Sequence, residues 1–308
     1  LVGEVGWPSA GRMRDGALPS PSNQARAIHD ILDVAKRDRF RVNVIEAFDQ
    51  PWKENQEGTV GGHWGFLDGA TREFKFRWGQ AVSDHPAWPL RAGEGVALAS
   101  LIFAAALATR RRNPKPDRRD RQAWPAVAAI ALVSGTSIGW ANENVPIESL
   151  GPGGWLRSIA MAGLAVAAPI ACAASVIRQV SIPGFWRVLG GRDDRPSDPL
   201  VLALGALFVA LTVIAVQVAM ELVFDPRYRD FPFAPLGGAA VPFLIVSWTG
   251  ERSGGRRGMA ETVAGAVLAG SAIYIALNEG FENWQAMWFC AGCAMIAITL
   301  SRSRDARS

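Results

Sequence analysis

Two kinds of hydrophobic spacing divide the chain. From residue 93 onward, apolar residues form seven stretches, near 93–109, 123–141, 155–177, 200–224, 234–249, 260–277 and 284–300, separated by short polar loops. Most approach the roughly 20 residues a helix needs to cross a bilayer; the first and fifth are shorter. Before residue 89 the runs are brief and patterned. Ala25, Ile28, Leu32 and Ala35 recur at three- and four-residue spacing, with Arg26, Asp30, Asp33, Lys36 and Arg37 on the other faces. That pattern predicts an amphipathic helix. Ser20-Pro21 offers its N-cap and first helical position, and its end is expected near Asp38. Phe40 to Phe48 then reads as a strand, with Phe40, Val42, Val44, Glu46 and Phe48 sharing one face on the two-residue period. Ser83-Asp84-His85-Pro86-Ala87-Trp88-Pro89 is a Pro-rich junction, which divides the chain into residues 1–88 and a helical membrane part, 89–308.

Charge changes the picture only once its placement is considered. The net charge of +4 could indicate an anionic partner, but the basic residues lie in short loops between apolar runs. That is an orientation signal for a membrane protein, and no nucleic-acid binding is inferred. Counted in alternate loops, seventeen Lys and Arg fall in one set, spread over 110–121, 178–195, 252–257 and the tail. Arg227 and Arg229 alone occupy the other. The first set is therefore expected in the cytoplasm with the C-terminus, and the first 88 residues on the far side, as an odd number of spans also requires. Cys172, Cys290 and Cys293 lie inside apolar stretches, so the Cys-x-x-Cys spacing reads as small-residue helix packing; no metal or cofactor is called for.

The chemistry is concentrated at the start. Leu1-Val2-Gly3-Glu4-Val5-Gly6-Trp7-Pro8-Ser9-Ala10-Gly11 places a carboxylate on a short apolar run that ends in a Gly-Trp-Pro turn. Gly3 lets backbone pass close to a bound ring, Pro8 stops the strand, and Trp7 offers a flat face beside Glu4. This order resembles the signature of the family 17 glycoside hydrolases, β-1,3-glucanases and glucanosyltransferases built on a (β/α)8 barrel. The resemblance implies that Glu4 is the catalytic nucleophile. It also implies that Glu46-Ala47-Phe48-Asp49-Gln50-Pro51-Trp52-Lys53 follows the last strand, with Glu46, Asp49 and Lys53 as substrate or supporting residues. Trp64-Gly65-Phe66-Leu67-Asp68 resembles the family's aromatic block, so Trp64 with His63 would floor a glucan site. Trp52, Trp64, Phe66 and Trp78 could equally fill the barrel's rim. Gln50 and Gly61 stand where plant members carry Glu.

The fold class expected is thus α/β plus all-α membrane: the C-terminal portion of a TIM barrel, about two strand–helix units, followed by about seven transmembrane helices. A whole barrel needs roughly 250 residues. The chain opens at Leu1 inside what reads as a strand, so it is read as a fragment lacking six strands and the second carboxylate of a retaining glycosidase. Over its whole length it resembles bacterial inner-membrane proteins linked to β-(1,3),(1,6)-glucan synthesis. That implies a membrane-anchored transglycosidase with its barrel in the periplasm. The partners implied are a β-glucan, the lipid bilayer and a glucan synthase or export protein. A plain β-1,3-glucanase and a non-catalytic glucan-binding scaffold are the alternatives. The far-side loops repeat acids, amides and aromatics: Asn142-Glu143-Asn144 with Glu148, Asp225 with Tyr228 and Asp230, and Asn278-Glu279 with Glu282-Asn283-Trp284. They suit a polysaccharide lip, or ordinary interfacial loops with Trp124, Trp140, Trp155 and Trp284 as belt anchors. Glu221, near the outer end of the fourth stretch, is expected to snorkel or pair with Arg227.

Overall fold

In the computed structural model, a short α/β segment precedes a region made almost entirely of long helices. The structure describes all residues except 114–119, 191–194, 227–228, 251–257 and 304–308, and the side chains of 120–122. Lys115, Arg118, Arg119, Arg192, Arg227, Tyr228, Arg252, Arg256, Arg257, Arg304 and Arg307 therefore lie outside the described residues.

The first segment contains β1 (Val2–Val5), α1 (Pro21–Arg37), β2 (Val42–Val44) and the single-turn α2 (Glu54–Glu57). The two strands are parallel and adjacent, so β1, α1 and β2 form one strand–helix–strand unit. α1 starts where its sequence predicts: Ser20 Oγ accepts the Asn23 N–H at 3.1 Å, Pro21 occupies the first turn, and Asp38 follows the last residue. Its buried face is Gln24, Ile28 and Ala35, whereas Leu32 is 37% exposed and lies off the core. Two expectations are corrected here. The strand foreseen from Phe40 to Phe48 is regular only over Val42–Val44, beyond which Phe48 forms an isolated parallel bridge with Leu67. The second strand–helix unit has no helix comparable to α1: after β2 the chain is held by short 3-10 turns, Pro51–Lys53 and Thr59–His63, around α2.

The helical region comprises α3 (Trp88–Arg112), α4 (Asp120–Glu148), α5 (Gly151–Arg178), the short α6 (Phe185–Leu189), α7 (Pro199–Phe224), α8 (Phe233–Thr249), α9 (Met259–Glu279) and α10 (Trp284–Arg302). Six of these, α3, α4, α5, α7, α9 and α10, are long and apolar enough to cross a membrane. This corrects the expected seven. The fifth apolar stretch becomes α8, whose 17 residues extend about 25 Å against a hydrocarbon core of about 30 Å. Its hydrophobicity serves another purpose, since ten of its residues are buried against α4, α5 and α10. α8 begins beside Trp140 and Trp284 and ends where Gly250 lies against Val180 and Ser181, just past α5.

Burial in the long helices is one-sided. On α3, Gly95, Leu98, Ile102 and Ala106 face inward, while Val96, Leu101, Phe103 and Leu107 are exposed. Exposed Leu156, Ile159, Val213, Ile273 and Ile298 on other helices extend this apolar exterior, which suits contact with lipid tails rather than water. Packing between such helices relies on small residues that let backbones approach. A β-carbon added to Gly95 would lie 2.4 Å from the Gly135 carbonyl oxygen, and one on Gly135 would lie 2.9 Å from that of Gly95. α4 is tied to α8 by Ser134 Oγ, which donates to Gly238 O at 3.0 Å. Cys172, Cys290 and Cys293 are buried thiols in these contacts.

Glu221 is paired among the described residues, and Arg227, the partner expected for it, lies outside them. The Glu221 carboxylate accepts from Arg157 of α5, with Arg229 at 3.5 Å and Gln217 Nε2 at 3.2 Å.

Gly135→Leu should separate α3 from α4 and destabilise the detergent-solubilised chain by about 1–3 kcal/mol. Gly93→Leu, on the same helix as Gly95 and with open space around it, should leave the thermal midpoint nearly unchanged.

Candidate active site

Glu4 sits in an irregular strand. Val2 pairs with Val42 and Val5 with Val44, so β1 carries one residue more than β2 between the two pairs. The extra length falls on Gly3-Glu4, and irregularities of this kind re-aim a side chain beside active sites. The Glu4 side chain is exposed. Among the described residues it has no ion-pair partner, unlike Glu46 and Asp49.

The turn after β1 is fixed from behind. Trp7 Nε1 donates to Leu18 O at 3.0 Å, orienting a half-buried indole. Gln24 of α1 is fully buried and its amide donates to Trp7 O (2.9 Å), Trp64 O (3.2 Å) and Gly65 O (3.1 Å). One side chain thus joins the helix, the Gly-Trp-Pro turn and the aromatic block. Sequence spacing places Gln24 simply in a helix; only burial against three carbonyls gives it this role.

Glu46 and Lys53 are brought together as an ion pair, with the second carboxylate oxygen of Glu46 buried and unpartnered. Asp49 is bound more tightly into the protein. Its Oδ1 accepts from Gly65 N at 2.9 Å and from Lys75 Nζ at 2.6 Å, and its side chain is 7% exposed. Lys75 also donates to Ser9 Oγ at 2.7 Å, so one ammonium ties the signature turn to the loop after β2. A β-carbon on Gly65 would lie 2.1 Å from Asp49 N, so the loop closes only over glycine there. Spacing along the chain does not single out Lys75, although the alternation in Glu73-Phe74-Lys75-Phe76-Arg77 sets it opposite the two rings.

His63 and Trp64 lie beneath this arrangement rather than open to it. Both are half-buried, and His63 Nε2 and Trp64 Nε1 are buried without hydrogen-bond partners. Burial pushes the His63 imidazole below its ordinary range, against the pull of Asp49 and with help from Lys75. Burial likewise lowers Lys75, against Asp49. Trp52 and Trp78 are the exposed rings, at 57% and 61%. The structure therefore presents Glu4 to solvent, sets Glu46–Lys53 nearby on the next strand's exit, and uses Asp49, His63 and Trp64 inside the support.

A further set of contacts seats this segment on the ends of the helices. Arg12 pairs with Glu279 of α9, donates to Pro226 O and, at 3.0 Å, to Arg229 O, and lies over the Phe231 ring at 4.6 Å. Met13 N donates to Gln285 Oε1 at 2.8 Å, and Asn283 Nδ2 donates to Met13 O at 3.1 Å. Thr59 Oγ1 donates to Asp230 Oδ1 at 2.9 Å, and His85 Nδ1 lies 3.0 Å from Glu143 Oε2. Burial raises Asp230 to about 6, an effect larger than the opposing Thr59 hydrogen bond and the Arg12 and Arg157 charges.

The segment that carries this arrangement is related to glycoside hydrolases. Residues 1–65 match the family model described as BtgE/BtgC glycoside hydrolase domain. Glucan 1,3-beta-glucosidases of Saccharomyces cerevisiae and of Candida albicans are each 38% identical to this chain over 66 residues. Each alignment covers 21% of this chain and 21% of the relative. The chain therefore spans about a fifth of the length of the curated relatives it matches. No solved structure matches.

Gln24→Leu removes the donor shared by three carbonyls, of which Trp64 O keeps the Glu46 N–H, and should cost about 1–3 kcal/mol, measured by urea or thermal unfolding. Because Asp230 is raised by folding, its contribution to stability is complete below about pH 4 and is lost as pH rises through about 6. Asp230→Asn should remove that component from the pH profile of the thermal midpoint.

Proposed function

We propose that the chain is the membrane-anchored part of a retaining enzyme acting on β-1,3-glucan, with Glu4 as its nucleophile. The observation that carries this reading is Glu4 itself: an exposed carboxylate without an ion-pair partner, on a strand irregularity inside the segment related to glucan 1,3-beta-glucosidases. A Glu4 oxygen attacks the anomeric carbon, the glycosidic C–O bond breaks, and a proton donor delivers a proton to the leaving oxygen. Glu46 suits the donor role poorly, because it is bound to a lysine ammonium; it and Lys53 are better placed to bind hydroxyls. Trp7, His63, Trp64 and Asp49 position the loops that carry the site. Residues 1–88 form the C-terminal part of a (β/α)8 barrel, and 89–308 form the membrane domain.

The acceptor in the second half-reaction decides the activity. Water gives a glucanase, a sugar hydroxyl a glucanosyltransferase, and the permanent attachment to a membrane favours transfer onto a growing glucan. Orientation follows the charge count: seventeen basic residues against two put the C-terminus in the cytoplasm and the barrel segment on the opposite side, the periplasm of a bacterial inner membrane. α8, packed against the long helices and running from the Trp140 and Trp284 end to the Val180 end, supplies the seventh passage that this requires. The seating of the segment on the Glu279 and Trp284 ends of α9 and α10 fits that arrangement.

Glu4→Gln in the full-length protein should lower turnover of laminari-oligosaccharides by roughly a thousandfold or more, and a fluorinated glycoside should label the peptide containing Glu4. Unchanged turnover would dismiss the assignment and leave a glucan-binding scaffold. Products longer than the substrate would establish transfer; shorter chains alone would establish hydrolysis.

A further inference from the structure

Between the underside of the glycosidase segment and the outer ends of the helices lies a cavity of about 150 Å3. A cavity of that size admits one six-membered ring. One wall is an aromatic corner in which Trp140, Phe233 and Trp284 meet pairwise, with ring centroids 5.2 to 5.5 Å apart. The remaining wall carries Glu143, Asn144 and Asp230, and its roof is Ser9-Ala10-Gly11, directly after the Gly-Trp-Pro turn.

We propose that this cavity is a saccharide-binding site that holds a glucose unit of the glucan at the membrane surface, apart from the reacting bond. The proposal rests on the reading of the segment as glucan-active. Three features select a neutral sugar over other occupants. Four carboxyl groups, Asp84, Glu143, Glu148 and Asp230, line the space against Arg12 and His85, and the terminal nitrogens of Arg12 are already engaged by Glu279 and two carbonyls, so the lining offers a phosphate few free donors. Asp230 Oδ2 is buried with no hydrogen-bond partner, an acceptor that a sugar hydroxyl would satisfy. Arg12 Nε, also in the lining, is likewise buried without a hydrogen-bond partner among the described residues; unpaired buried polar groups are costly, so an occupant that both donates and accepts is favoured. Aromatic planes beside carboxylate and amide groups match the two surfaces of a pyranose: its C–H faces pack on rings while its equatorial hydroxyls donate and accept. Because the roof comes directly after the nucleophile turn, a bound chain is held near the site where it is cut or extended and kept against the membrane.

The test uses the full chain with Glu4→Gln in nanodiscs and a laminaritriose carrying a diazirine. Labelling is expected on the peptides that contain Trp140 to Asn144 and Trp284, and unlabelled laminaritriose should compete it away. Asn144→Ala and Ala10→Leu, the second filling the roof, should each weaken that labelling at least tenfold while a thermal midpoint near the parent's reports intact folding. Label confined to residues 1–65, competition by phosphocholine rather than by laminaritriose, or labelling unaffected by both substitutions would overturn the proposal. Those outcomes leave the Glu4 assignment standing. Conversely, full turnover by Glu4→Gln would remove the catalytic reading without touching the labelling pattern.

Discussion

A handful of buried polar contacts holds the N-terminal segment against the helix ends, and the geometry of both candidate sites depends on them. Arg12 reaches from the signature turn to Glu279 and to carbonyls of the loop before α8, while Asn283 and Gln285 clasp the Met13 backbone. Such groups are costly to remove from water unless paired, and losing one partner leaves an uncompensated charge or dipole. The seat is therefore specific. A loosely hydrophobic interface would let the segment slide, whereas paired charges and amides fix one register between the turn that follows Glu4 and the helix ends.

The same logic recurs one layer up. Gln24 and Lys75 each tie two other segments to their own, and so make the loops after β1 and β2 a single support. Asp49, His63 and Trp64 belong to that support. Resemblance to a family carries residues across by position, but burial decides which of them face a substrate and which hold the frame. Here Glu4 is the exposed acid, and Asp49 is committed to Gly65 and Lys75.

In the helical region, hydrophobicity alone does not distinguish lipid-facing from protein-facing surface. α7 is apolar on nearly every face, and α8 is too, yet α8 is short and enclosed. Its burial against three neighbours places a membrane-like sequence in the interior of the bundle, where small residues such as Gly238 permit close backbone contact.

The sequence by itself determined the boundaries of α1, the signature around Glu4, the break in composition before α3 and the helical character of residues 89–308, because capping, apolar periodicity and turn chemistry are local. It left undecided the partners of Arg12, Glu221 and Asp230, the extent of β2 and whether the fifth apolar stretch meets lipid or protein. Those depend on which residues far apart in the chain are pressed together. Only the tertiary structure could place Gln24 among three carbonyls and Trp140 with Trp284 around a cavity, since no spacing along the chain encodes a contact between residues so distant.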